Sequence, residues 1–178
     1  MFLQTDDQTI EDLRLFAKRE RNGIYDIYNN TSTRGGEGLL EEMFRNPLSD
    51  KDAIRKRAAI IEAFAQQQAK FPFEAALLDS VEKYITQKEE HGQSGSASLG
   101  EKEIGNGVSA FIELYHAMLN FLQSGAIVNV QQLQDDRRKM MDLLQDAALE
   151  PVKKEKPRAK ISYAAVTAFD ILIRVKEK

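Results

Sequence analysis

A chain of 178 residues, 30% of them charged and 42% hydrophobic, is long enough to bury a real core in one domain or two small helical subdomains. Its apolar runs are only a few residues long, which leaves no transmembrane candidate and no secretory h-region, so the expectation is a cytoplasmic protein with no membrane partner. The absence of cysteine excludes disulfides and thiolate metal sites, and a formal net charge of −3 excludes a globally basic surface, so any nucleic-acid contact must be local.

Outside the loops the apolar residues recur at helical spacing rather than alternating, which predicts an all-α multihelical bundle with no sheet. The first helix opens on Thr5-Asp6-Asp7-Gln8, read as a capping box with Thr5 at its head, and presents Ile10, Leu13, Phe16 and Ala17 on one face. A short second helix carries Ile24, Tyr25, Ile27 and Tyr28. The stretch from Thr31 to Asp50, TSTRGGEGLLEEMFRNPLSD, then predicts a Thr-capped, glycine-containing turn that delivers Leu39, Leu40, Met43 and Phe44 into the core and stops at Asn46-Pro47.

Ser49 is the expected N-cap of a long helix with Ile54, Arg57, Ala58, Ile61, Phe64 and Ala65 on one side. Pro72 marks another first turn, followed by Phe73, Ala76, Leu77, Val81, Tyr84 and Ile85. Residues 89–100, EEHGQSGSASLG, are Gly/Ser-rich and read as a flexible linker between an N-terminal helical subdomain, 1–88, and a C-terminal one, 101–178. Beyond it, Ile104, Val108, Phe111, Ile112, Tyr115, Met118, Leu119 and Leu122 hold one register. A second helix with Val130, Leu133, Met140, Met141 and Leu144 should lie antiparallel to that one. The charged, proline-containing run 149–160 should interrupt helical order before a last helix on Tyr163, Val166, Phe169 and Ile173, inside which the chain stops.

Residue spacing argues against the common catalytic and ligand motifs. Gly35-Gly36-Glu37-Gly38 is not a phosphate-binding loop, because no Lys-Ser/Thr follows it and no strand precedes it. His91, expected in the linker, and His116, expected on a helix surface, lack an i+3 or i+4 His partner for a metal. Glu41-Glu42, Glu89-Glu90 and Asp135-Asp136 are adjacent in sequence and so diverge on a helix, which suits solvated faces rather than paired acid and base. Arg137, Arg138, Lys139, Lys153 and Lys154 are candidate weak phosphate contacts, although short basic runs are more often solubilising and no aromatic side chains interleave these.

Two segments carry a resemblance. DDQTIEDLRLF resembles the D-x-x-T-x-x-N-L-E-L opening of the helical core domain of MutS-type DNA mismatch repair proteins, with Asp6, Thr9, Leu13 and Leu15 matching and Asp12 and Arg14 departing. The Thr31 stretch is similar to that family's L-D-x-T-x-T-x-x-G-x-R-x-L, W-L-x-x-P-L and I-x-x-R signatures. Thr31, Thr33, Gly35, Gly36, Leu39, Leu40, Pro47, Leu48, Ile54 and Arg57 form the corresponding structural motif. Gly38 stands where the family has Arg, Met43 where it has Trp, Phe44 where it has Leu, and Asn29 where it has Asp, which places the chain on a divergent branch. Phe111-Ile112-Glu113 matches the family's mismatch-probing triplet by chance, since it lies in an amphipathic helix.

The resemblance implies a role rather than a reaction. It implies a non-catalytic core or lever domain that transmits movement between DNA-contacting elements and a downstream P-loop ATPase domain of a longer protein. This chain would then hold no cofactor and be no enzyme. ATP and magnesium would belong to the parent, as would DNA binding and homodimerisation through the ATPase domain. From a different class, the alternative is a helical protein–protein interaction module unrelated to mismatch recognition.

Overall fold

The computed structural model describes residues 2–3, 5–16, 22–68, 70–91, 100–157 and 161–175, with side chains at 87–91 and 174–175 excepted. The described residues are helical with no strand; a single antiparallel bridge pairs Phe2 with Leu48. The chain divides into two compact units, residues 1–71 and 72–178.

The first unit holds α1 (Asp7–Asp12), α2 (Ile24–Tyr28), α3 (Arg34–Arg45) and α4 (Lys51–Gln67). The caps of α1 and α4 are shifted by one residue from the sequence reading. Asp6, not Thr5, caps α1 by accepting from the Thr9 amide at 2.7 Å, and Thr5 Oγ1 instead donates to the Arg45 carbonyl 40 residues away. Asp50, not Ser49, caps α4 by accepting from the Ala53 amide at 2.8 Å. In both places a carboxylate, which adds charge to the dipole interaction at a helix N-terminus, takes the position from a hydroxyl. Arg14 and Gln68 end α1 and α4 with φ of 50° and 49°, so both turns are made in the left-handed region without glycine.

An aromatic cluster replaces an aliphatic core in this unit. Phe16 and Phe44 flank Tyr25 at centroid distances of 5.3 and 5.6 Å, Tyr28 lies 5.8 Å from Phe44, and the Arg45 guanidinium sits 4.3 Å over Phe16. The expected α3 face is only partly used: Leu40, Met43 and Phe44 are half-buried but Leu39 is 59% exposed.

The second unit is built round α6 (Glu101–Gln123). Against it pack α5 (Ala75–His91), α7 (Gly125–Val128), α8 (Gln134–Leu144), α9 (Glu150–Lys154) and α10 (Tyr163–Val175). Val108, Ile112, Tyr115 and Leu122 are buried at i, i+4, i+7 and i+14, so one stripe of α6 forms the core with Tyr84, Val152, Val166, Phe169 and Ile173. Burying each such side chain is worth about 1.5–3 kcal/mol.

The boundary expected at 89–100 therefore falls inside this unit. Residues 89–91 still belong to α5, 92–99 lie outside the described residues, and α5 joins the C-terminal unit because it packs along α6. The contact is close: a Cβ on Gly107 would stand 2.4 Å from the Tyr84 ring.

The second helix of the expected pair is broken into α7, a 3-10 turn at Gln131–Leu133, and α8, with Val130 buried in the break. The Gln134 amide Nε2 holds that break by facing the Ile127, Val128 and Val130 carbonyls at 2.9–3.1 Å. Arg137 Nε donates to the Leu122 carbonyl and the Tyr115 hydroxyl to that of Leu144, so α8 runs antiparallel to α6. Residues 149–157 of the charged run are more ordered than their charge suggests, and 158–160 lie outside the described residues. Pro151 lies in the first turn of α9, where it forfeits no helical hydrogen bond, and Val152 behind it is fully buried.

Candidate functional site

The Thr31 motif is a capping assembly at the start of α3. Thr33 Oγ1 accepts from the Gly36 amide at 3.0 Å, and a Cβ on Gly36 would stand 3.0 Å from that oxygen, so the glycine keeps the cap open. Gly35 and Gly38 lie inside α3 with nothing within 4 Å of an added Cβ, so these glycines are helical residues and not the expected turn. The Cβ of a side chain at 38 would meet nothing within 4 Å.

Asn29 joins the motif to α2 and α3. It accepts from Thr31 Oγ1 at 2.7 Å and donates through Nδ2 to Glu37 Oε1 at 3.0 Å, with the amide orientation assigned from this network. An aspartate at 29 would face Glu37 carboxylate to carboxylate, which accounts physically for the asparagine in this chain. The Tyr25 hydroxyl donates to the Glu37 carbonyl at 3.3 Å. Burial, with the nearby Glu37, Glu41 and Asp26 carboxylates, holds that phenol above its usual range.

Leu3 N donates to the Pro47 carbonyl at 2.8 Å, so Pro47 and Leu48 dock residues 2–3 beside the end of α3. Ile54 is 46% exposed and Arg57 half-buried on α4; no bond joins either to the capping assembly among the described residues.

The basic residues are engaged locally. Arg137 is half-buried and closes the C-terminus of α6 through Leu122, while Arg138 approaches Asp135 at 3.9 Å. Lys153 and Lys154 both approach Glu150, at 3.8 and 3.6 Å, and both are exposed, as is Lys139. Exposed pairs of this kind contribute about 0–1 kcal/mol and leave the ammonium groups accessible to solvent.

His116, expected on the surface, is half-buried and its Nε2 lies 2.8 Å from the Glu155 carbonyl, tying α6 to the end of α9. The His91 side chain lies outside the described residues. Phe111 and Glu113 are half-buried and Ile112 is 1% exposed, which makes the triplet part of the core helix.

Sequence reading missed the centre of the second unit, where the Tyr84 hydroxyl donates to Asp170 Oδ1 across 86 residues and joins α5 to α10. Asp170, 8% exposed, is the buried charged residue of the described core. Its signal was available, since it sits between Phe169 and Ile173 on the apolar side of α10. Among the described residues no group of three or more His, Cys, Asp and Glu is placed to hold a metal, and no helix is long and apolar enough to cross a membrane.

The sequence of these helices matches a known family, MutS domain III, over residues 8–173. The chain belongs to the MutS domain III family. The match extends well past the two segments on which the sequence resemblance rested and takes in α5 to α10.

The DNA mismatch repair protein MutS of Fervidobacterium nodosum is 35% identical over 63 residues, 35% of this chain and 8% of the relative. MutS of Thermosipho melanesiensis is 29% identical over 85 residues, 48% of this chain and 10% of the relative. The aligned stretch is thus a tenth or less of each of these relatives. No solved structure matches the chain significantly. In this MutS domain III, the Thr31 motif starts α3 at a fixed place, and Phe2, Leu3 and Thr5 are tied to the end of that helix.

Proposed function

We propose that this chain is the non-catalytic lever domain of a longer MutS-type mismatch repair protein. It transmits movement between DNA-contacting elements and a P-loop ATPase domain elsewhere in that protein. The match to MutS domain III across residues 8–173 carries this reading. The packing supports it: a lever must move as a rigid element, and α5, α6 and α10 are locked by the Gly107–Tyr84 approach and the buried Tyr84–Asp170 bond.

In this reading ATP and magnesium act in the ATPase domain, homodimerisation runs through that domain, and DNA is held by the longer protein. Arg138, Lys139, Lys153 and Lys154 add weak phosphate contacts, with Arg137 contributing what its bond to Leu122 leaves available.

The test compares this chain with a longer protein carrying it, for ATP hydrolysis and salt-dependent duplex binding. The isolated chain should hydrolyse no ATP and bind duplex weakly or not at all, while the longer protein does both. ATP hydrolysis by the isolated chain would overturn the proposal. The second reading, a protein-interaction module, is favoured by one observation, an exposed apolar stripe on α4. It would be selected by tight binding of a protein partner combined with no duplex binding by the longer protein.

A further inference from the structure

Helix α4 runs for 17 residues without one buried residue. Most helical stability in proteins comes from packing of an apolar face rather than from propensity, so the stability of α4 depends on what covers it. Ala53, Arg57, Ile60 and Phe64 make a half-buried stripe. About 100° round the helix, at the 100° per residue of α-geometry, lies a second stripe of Ile54, Ala58, Ile61 and Ala65, and all four are exposed. Ile54 and Ile61 stand 46% and 59% exposed. Their 4-3-4 spacing is that of a coiled-coil seam.

We propose that this stripe is a self-association surface, on which α4 of one chain packs antiparallel against α4 of a second copy. The alternation of large and small residues sets the direction. In an antiparallel pair centred between positions 59 and 60, Ile54 meets Ala65 of the second copy and Ala58 meets Ile61. Every layer then holds one isoleucine and one alanine, and the helices keep one spacing throughout. A parallel pair would stack isoleucine on isoleucine and alanine on alanine, leaving alternate layers crowded and empty.

Charge agrees with that direction. Arg55 and Glu62, both exposed, occupy the same flank of the stripe, and residues on that flank face each other across an antiparallel seam. Each Arg55 therefore meets Glu62 of the second copy, twice per dimer. The antiparallel pair also separates the two basic first halves, each with Lys51, Arg55 and Lys56 exposed, and opposes the helix dipoles. This inference does not depend on the proposed lever role.

The absence of cysteine makes disulfide trapping clean. Ile54→Cys and Ala65→Cys chains, mixed and oxidised, should form the mixed disulfide. Ile54→Cys alone should not, because its two copies would lie about 16 Å apart along the axis at 1.5 Å per residue, beyond the reach of a disulfide. Trapping of Ile54→Cys with itself would show a parallel pair and overturn the proposal. So would a mixed yield no higher than that of two cysteines placed off the stripe, which would leave the face to another segment or a different partner.

Charge variants give a second reading, since they sit on an exposed face and spare the fold. Arg55→Glu and Glu62→Arg should each lower the mixed-disulfide yield at least several-fold, and the double variant should restore it. Failure of the double variant to restore the yield would also overturn the proposal. Circular dichroism of each variant confirms that α4 is intact.

Discussion

Gly107 and Gly105 lie two residues apart on α6 and should respond to alanine in opposite directions. Nothing lies within 4 Å of a Cβ built on Gly105, so Gly105→Ala should gain helix propensity alone, about 0.8–1 kcal/mol of added stability. On Gly107 the same Cβ would stand 2.4 Å from Tyr84 Cγ and Cδ2 and 2.7 Å from its Cβ. These atoms are the root of the side chain rather than a movable tip, Tyr84 is 3% exposed, and its hydroxyl is held by Asp170. Opening the α5–α6 contact costs about 1–3 kcal/mol, typical of overpacking a core. Set against the propensity gain, Gly107→Ala should lose about 1 kcal/mol net, and the two variants should differ by about 2 kcal/mol. Urea unfolding followed by circular dichroism measures this difference. Equal stability of the two variants would refute the close approach of α5 and α6.

Tyr84→Phe removes the phenol donor from a buried carboxylate and should destabilise the second unit by about 1–3 kcal/mol, measured by the same unfolding experiment. Thr33→Ala should cost about 1 kcal/mol in the first unit, and Thr33→Asp should retain most of the stability because a carboxylate also accepts from the Gly36 amide. Hydrogen bonds from Thr9 hold the Asp6 carboxyl below its usual range. A depressed folded value means that this contribution is present above the unfolded value of about 3.9 and is lost as pH falls through the lower folded value. Asp6→Asn should therefore flatten the acid limb of the thermal stability profile, and an unchanged limb would contradict the cap. Arg137→Met removes a donor from the C-terminus of α6 and should cost about 1.5–3 kcal/mol if the charged bond to Leu122 is fully used.

Periodicity made the long elements legible because one face of each does the packing. The stripe Val108, Ile112, Tyr115, Leu119 and Leu122 of α6 is written in the sequence and appears in the core. Short elements were less legible. Val152 anchors a five-residue helix inside a charged run, where one apolar residue gives no period, and only Pro151 in the first turn signals the helix. His116 reads by type as a helix-surface residue and Asp170 belongs to no motif, but each finds a hydrogen-bond partner in a distant segment, which local pattern does not encode. The caps at Asp6 and Asp50 were misplaced by one residue because two capping side chains stand side by side in each case. The glycines of the Thr31 stretch looked like a turn by composition, yet helical geometry tolerates them once Thr33 has started α3.

In the proposed function α5, α6 and α10 move as one lever between DNA and nucleotide. The direct measurement is DNA-stimulated ATP turnover by a longer protein carrying this chain, with and without Gly107→Ala. The variant should keep duplex binding and its turnover without DNA but lose most of the stimulation by DNA. Full stimulation in a variant shown to have a loosened second unit would contradict it.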